Sequence, residues 1–298
     1  MIKFLKYKRI YYAVALISII GSILSLGILG LNLGIEFTGG SIMEIEYEDE
    51  RPSIDELRAS LAGIDLGEIV IQPAGDNRFI LRMADVSKEN YEAMRTRLVG
   101  ATENRFESIG PTIGDELRNK ALVSILLSSL AIVIYIAITF SGSGGKTVKS
   151  WQYGVIATGI AFLHDVLIVL GFFSLFGHFF DVQVTIPIAV ALLTVLGYSV
   201  NDTVVIFDRV RENLLKNPRL TFPDIVDKSL NETLGRSINT SLTTLFVLMA
   251  VFFFGGETLR WFTLAMIMGI SFGAYSSLFL AGPLLVSWSN WNLKNIKK

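Results

Sequence analysis

The chain has 298 residues, 51% of them hydrophobic and 18% charged, with 26 basic side chains against 27 acidic. So apolar a composition excludes an ordinary water-soluble domain and belongs to proteins that cross a bilayer several times. With no Cys and two His, disulfides, thiolate zinc sites and His-rich metal centres are excluded, and no basic patch interleaved with aromatics points to nucleic acid.

Residues 1–9 carry Lys3, Lys6, Lys8 and Arg9 ahead of a first apolar run, Ile10–Leu31. The run is too long for a secretory core and no small-residue cleavage site follows, so the expectation is an uncleaved membrane anchor. Residues 35–117 differ in character: 18 of the acidic residues lie from Glu36 to Glu116, against nine basic ones from Arg51 to Arg118. This stretch reads as an exterior domain. Ser41–Glu48 alternates as a strand, Ser53–Gly63 is helical, and Glu68–Gln72 is β-branched. Asn77–Ala84 follows a Gly75-Asp76 turn, Ser87–Val99 is a helix capped by Ser87, and Thr102–Ile109 is a last strand. The order βαββαβ is the ferredoxin-like arrangement, an α+β fold that hosts unrelated functions, and the domain holds no catalytic constellation.

Five further spans follow within residues 121–288, at Ala121–Phe140, Trp151–Phe176, Val182–Phe207, Ser237–Phe254 and Trp261–Trp288. The fold class is therefore an all-α six-helix membrane bundle with one exterior domain. Gly144-Gly145-Lys146-Thr147 imitates the end of a phosphate loop, but Phe140 stands where that loop needs its first Gly. It reads as a linker. Gly269 and Gly273 form a small-xxx-small pattern for close helix packing. In segment 208–236, Phe222, Ile225, Val226, Leu230 and Leu234 recur at helical spacing, predicting an amphipathic helix on the cytoplasmic face. Residues 289–298 form a tail. The short flanks place 15 basic residues on one side of the membrane and essentially Arg260 on the other. The positive-inside rule then puts both termini in the cytoplasm.

Ionisable groups inside the spans carry the chemistry. Asp202 lies in the run that emerges as a charged helix, and a carboxylate at such depth costs about 2.5–3.5 kcal/mol, which makes a functional role its default reading. Asn201 precedes it. Pro187 in the same span predicts a kink. His164 and Asp165 sit mid-span as either a proton relay or a polar packing pair. Arg236 opens the fifth span within reach of Asp202, as its cation partner or as a charge anchor.

Several motifs resemble those of the SecF family, the smaller subunits of the bacterial SecD–SecF accessory complex of protein export, in the resistance-nodulation-division superfamily. They are Gly34–Gly40 (GIEFTGG, with Glu36 where Asp is usual), Ser108–Leu117 (SIGPTIGDEL), His164–Val166, Gly197–Glu212 and Asn231–Thr244 (NETLGRSINTSLTT). The resemblance implies a non-enzymatic, proton-driven subunit of the bacterial inner membrane. It would work with SecD and the SecYEG–SecA translocase on unfolded preprotein, surrounded by membrane lipid. It needs no cofactor, and Na⁺ is open as an alternative to H⁺. Asp202 would carry the proton, with Arg236, Asp165, His164 and Asn201 along its path. Gly34, Glu36, Gly39, Gly40, Pro111, Gly114 and Glu116 would shape the first two motifs, and Gly197, Thr240, Ser241, Thr243 and Thr244 the last two. A proton-coupled exporter of lipids or small molecules is the other reading of the same membrane machinery, and a scaffold with Asp202 as structural glue is a third.

Overall fold

The protein is described by a computed structural model covering residues 2–48, 51–141 and 149–296. The linker expected at Gly144–Thr147 lies outside the described residues. The chain divides into two units, Leu33–Val123 and Met1–Asn32 with Ser124–Lys298.

In the smaller unit a short helix α2 (Ile35–Thr38) leads into β1 (Gly40–Tyr47), α3 (Ile54–Ser60), β2 (Val70–Ala74), β3 (Arg78–Met83), α4 (Lys88–Arg97) and β4 (Ala101–Ile109). The four strands form one antiparallel sheet in the order β2-β3-β1-β4. Alternation sends Met43, Ile45, Phe79, Leu81 and Met83 to one face, where they are buried with Leu57 of α3 and Met94 of α4. Both helices start where local chemistry dictates. Ser53 Oγ accepts from Glu56 N while the Glu56 carboxylate accepts from Ser53 N, a reciprocal capping box, and Ser87 Oγ accepts from Asn90 N. β2 begins two residues later than the β-branched run suggests, because its pairing with β3 starts at Val70↔Arg82.

The larger unit starts with a 3₁₀ turn (Phe4–Tyr7) and α1 (Lys8–Leu29). It ends the chain with α5 (Pro111–Thr139, whose first part belongs to the smaller unit), α6 (Ser150–Ile160), α7 (Leu167–Phe180), α8 (Ile186–Lys216), α9 (Phe222–Phe254), α10 (Glu257–Ser276) and α11 (Gly282–Ile296). α6 and α7 are joined by a π-helical turn, Ala161–Val166, and α10 and α11 by another, Ser277–Ala281. Among the described residues six helices are long and apolar enough to cross a membrane. About half of the apolar stretch is buried in the α7, α8 and α10–α11 spans (50–56%), against 6–11% in α1, α5 and α9, so the first three make the interior of the unit. Small residues set their spacing: a Cβ on Gly273 would lie 3.0 Å from Ser199 Cβ, and one on Gly269 would meet Val195, so α10 can approach α8 only through glycine.

Two expectations change. Pro187 is the second residue of α8, where its missing N–H has no intrahelical partner to lose, so it starts this helix instead of kinking it. Segment 208–236 is shared between the ends of two long helices, and the helix expected over Phe222–Leu234 is the first part of α9. α8 runs on to Lys216, Asn217-Pro218 stops it, and Thr221 caps a new helix with Pro223 in its first turn. The apolar stripe expected to meet lipid instead packs inward: Ile225, Val226 and Leu230 are buried, with Val226 and Leu230 against Gly282.

Candidate intramembrane polar site

The two π-helical turns converge on one buried carboxylate. Asp165 is fully buried and His164 nearly so. His164 Nδ1 and Asp165 Oδ1 are 2.7 Å apart, and Asp165 Oδ2 accepts from Ser199 Oγ of α8 and, at 3.0 Å, from Ser276 Oγ at the end of α10. Both carboxylate oxygens are therefore satisfied by three different helices, as a buried charge requires. One residue on, Ser277 Oγ bonds Thr203 Oγ1 at 2.8 Å and donates to the Ser199 carbonyl at 3.2 Å. The His164 ring stacks on Tyr275 with centroids 5.7 Å apart. A π turn carries one residue more than an α turn and recurs at functional positions; here each one turns a polar side chain into the interior.

Asp202 has a different environment. It is 6% exposed, its Oδ1 accepts from Ser237 Oγ of α9 at 3.0 Å, and its buried Oδ2 has no hydrogen-bond partner among the described residues. Among the described residues no ion pair joins it to Arg236. That side chain is exposed, on the residue before Ser237, and lines a polar cavity of about 480 Å³ with Asp208, Arg209, Glu212 and Glu232. The hydroxyl that reaches Asp202 belongs to Ser237, the residue after Arg236, and a helix directs adjacent residues about 100° apart. Around the cavity Glu232 accepts from Arg209 Nε and Asn213 Nδ2, both at 2.7 Å, and Arg209 also pairs with Glu212.

The remaining expected residues fall into three groups. Asn201 and Gly197 are exposed on α8 and do not join the buried cluster. On α9, Thr240 and Thr243 are exposed and Thr244 is half-buried; Tyr198 Oη donates to the Thr240 carbonyl and bonds Thr244 Oγ1, both at 3.0 Å. Ser241 is buried with its Oγ unpartnered. In the smaller unit the glycines have a common reason. Gly39 and Gly40 take φ of +74° and +129°, and a Cβ on Gly39 would lie 2.8 Å from Pro111 Cα, while one on Gly114 would lie 2.7 Å from Gly39 N. Gly34 precedes α2, and its carbonyl accepts from Phe37 N and Thr38 N; Glu36 has one buried unpartnered oxygen, and Glu116 is exposed and pairs with Lys120 at 2.7 Å. Sequence reasoning did not single out Ser199, Thr203, Ser237, Ser276 and Ser277. Their signal was available as hydroxyls within otherwise apolar spans.

Among the described residues no three His, Asp or Glu side chains are placed to hold a metal ion. What the arrangement offers is two buried carboxylates with hydroxyl donors inside the bundle of a polytopic membrane protein. The profile of the SecD/SecF C-terminal family of protein-export membrane proteins matches residues 90–291, and that of the SecD/SecF GG motif matches residues 24–50. The protein translocase subunit SecF of Thermobaculum terrenum is 39% identical over 97% of this chain and 95% of its own length, and that of Desulfurispirillum indicum is 39% identical over 96% and 91%. The crystal structure of SecDF, a translocon-associated membrane protein from Thermus thermophilus, superposes with a TM-score of 0.83 at 34% identity, over 97% of this chain and 39% of that longer one. SecDF in a super-membrane-facing form superposes less closely, with a TM-score of 0.70. The chain belongs to the SecD/SecF family of protein-export membrane proteins, and its work is in protein translocation.

Proposed function

We propose that this chain is the proton-motive-force-coupled half of a SecD–SecF pair, assisting preprotein release on the outer side of the bacterial inner membrane beside the SecYEG–SecA translocase. Asp202 takes up and releases the proton, and Arg236, in the cavity it lines with Asp208 and Glu232, tunes the approach from the cytoplasm. Both termini face the cytoplasm. The smaller unit is a ferredoxin-like exterior domain, a reading supported by its βαββαβ order and by the sheet order β2-β3-β1-β4. The chain has no catalytic role of its own.

The observation that carries this reading is the contrast between two buried carboxylates. Asp165 has both carboxylate oxygens engaged, by His164, Ser199 and Ser276, which suits a fixed structural charge. Asp202 has one oxygen held by Ser237 and the other bare, which suits a group that changes its proton. A proton crossing about 100 mV releases roughly 2.3 kcal/mol, enough to shift a two-state equilibrium several tens-fold. The Asp202→Asn variant keeps the side-chain size but cannot cycle a proton. It should assemble with its SecD-type partner and lose the gradient-dependent stage of preprotein export into membrane vesicles. A variant that assembles and still responds to an imposed gradient like the parent refutes the proton role.

A further inference from the structure

A second feature of the larger unit has no part in that mechanism. α1, the third span and α11 enclose a groove of about 350 Å³ whose walls are almost wholly apolar. α1 contributes Tyr12, Ala15, Leu16 and Ile19, the stripe of a single helix face. Gly159 forms part of the opposite wall, and a Cβ there would meet nothing within 4 Å, so the space is open. One end is aromatic: Tyr12 Oη bonds Ser287 Oγ at 3.1 Å and Trp288 packs edge-on against Trp151. Tyr and Trp concentrate at this depth, between headgroups and hydrocarbon.

Charge completes the pattern. Lys8 and Arg9 precede Tyr12 by four and three residues, so they stand one turn nearer the N-terminus on the same side of α1. From Lys8 to Ile19 the helix rises about 16 Å at 1.5 Å per residue, close to half of the roughly 30 Å hydrocarbon core. The groove thus begins at cations, passes an aromatic rim, and ends near mid-membrane at His164, which also lines it.

We propose that this groove holds one acyl chain of an anionic phospholipid, with the headgroup phosphate on Lys8 and Arg9. A zwitterionic lipid would meet the same apolar walls but gain less from two adjacent cations. The assignment of the lipid to the cytoplasmic leaflet rests on the inside placement of the N-terminus; the groove itself does not.

The test uses the full chain with its partner subunit in nanodiscs, with Trp151, Trp261 and Trp291 and every tryptophan of the partner and the scaffold protein replaced by Phe, so that Trp288 is the reporter. Phosphatidylglycerol brominated on its acyl chains should quench Trp288 at a mole fraction at least threefold lower than brominated phosphatidylcholine. Gly159→Leu, which fills the groove, should remove that excess, while Gly27→Leu on α1, also with nothing within 4 Å of its Cβ and not part of the groove wall, should keep it. Lys8→Gln with Arg9→Gln should bring the two lipids to equality, and because these side chains stand at the protein's edge, this arm decides the question even if Gly159→Leu fails to insert. Equal quenching by both lipids in the parent overturns the proposal. So does quenching of the lone chain that vanishes in the complex, since a partner helix would then be the occupant. Asp202→Asn should leave the quenching unchanged, so a failed groove and a failed proton role give different results.

Discussion

At Asp202 a single hydroxyl does the positioning. Among the described residues Ser237 donates the one hydrogen bond the carboxylate accepts, and hydrogen bonds to charged groups contribute about 1.5–3 kcal/mol. Ser237→Ala should therefore lower gradient-dependent export about tenfold or more without loss of the assembled complex, and Ser237→Thr, which restores the hydroxyl, should recover most of it. A vesicle export assay with and without an imposed gradient checks both; an Ala variant equal to the parent would remove Ser237 from the site. The ionisable residues themselves were legible in the sequence, because a charged side chain in an apolar run stands out. Their partners were not: Ser199, Ser237 and Ser276 are 34 or more residues from the carboxylates they bond, and hydroxyls are ordinary in membrane helices. Asn201 drew attention by adjacency to Asp202 and Arg236 by its place just before the fifth span, yet both lie exposed.

Among the elements, α3 shows how far local chemistry goes. Its helical run was read from Ser53 onward, and the structure closes that start with a capping box between Ser53 and Glu56. The Ser53 backbone N–H, followed by its hydroxyl, holds the Glu56 carboxyl below its ordinary value near 4.5. A carboxyl lowered in the folded state contributes its stabilisation above the unfolded value and loses it as pH falls through the folded one. Hydrogen exchange of the α3 amides should thus be steady in protection from pH 7 to 5 and weaken below about 4.5, after correction for intrinsic exchange. Ser53→Ala should reduce protection about five-fold at neutral pH, and unchanged α3 amides in that variant would show that packing of Leu57 alone holds the helix. Helix ends and strands in the smaller unit were legible because capping and alternation are local signals. The π turns, the inward stripe of α9 and the position of Pro187 in a first turn were not, because hydropathy records how apolar a segment is and is silent about which neighbour it meets.

For the whole molecule, the charge asymmetry makes the plainest prediction. With 15 basic residues on the short flanks of one side, Asn77→Cys in the smaller unit should react with a membrane-impermeant thiol reagent in spheroplasts. Leu215→Cys, 73% exposed near the end of α8, should react only after the membrane is opened. The reverse pattern would overturn the proposed orientation and, with it, the proposed cytoplasmic side of Arg236. The number of spans and their order followed from hydropathy, since a bilayer admits few solutions for an apolar run. What one chain cannot contain is the surface that faces its partner. Gly197, Asn201, Thr240 and Thr243 are all exposed on α8 and α9, and they are motif positions without a buried role in this chain alone.

The paired π turns also fix how the polar core tolerates change in chain length. Each turn holds a surplus residue relative to the α-helix around it, and one residue is about 100° of rotation. Removing one residue other than His164 or Asp165 from Ala161–Val166 would tighten that turn and swing α7 relative to α6, carrying the His164–Asp165 pair off Ser199 and Ser276 although all four side chains are retained. The same holds for Ser277–Ala281 and its contacts to Thr203 and the Ser199 carbonyl. The core is thus keyed to the count of residues along two helices as well as to their identity, and a one-residue indel there would act as a point mutation in the polar network.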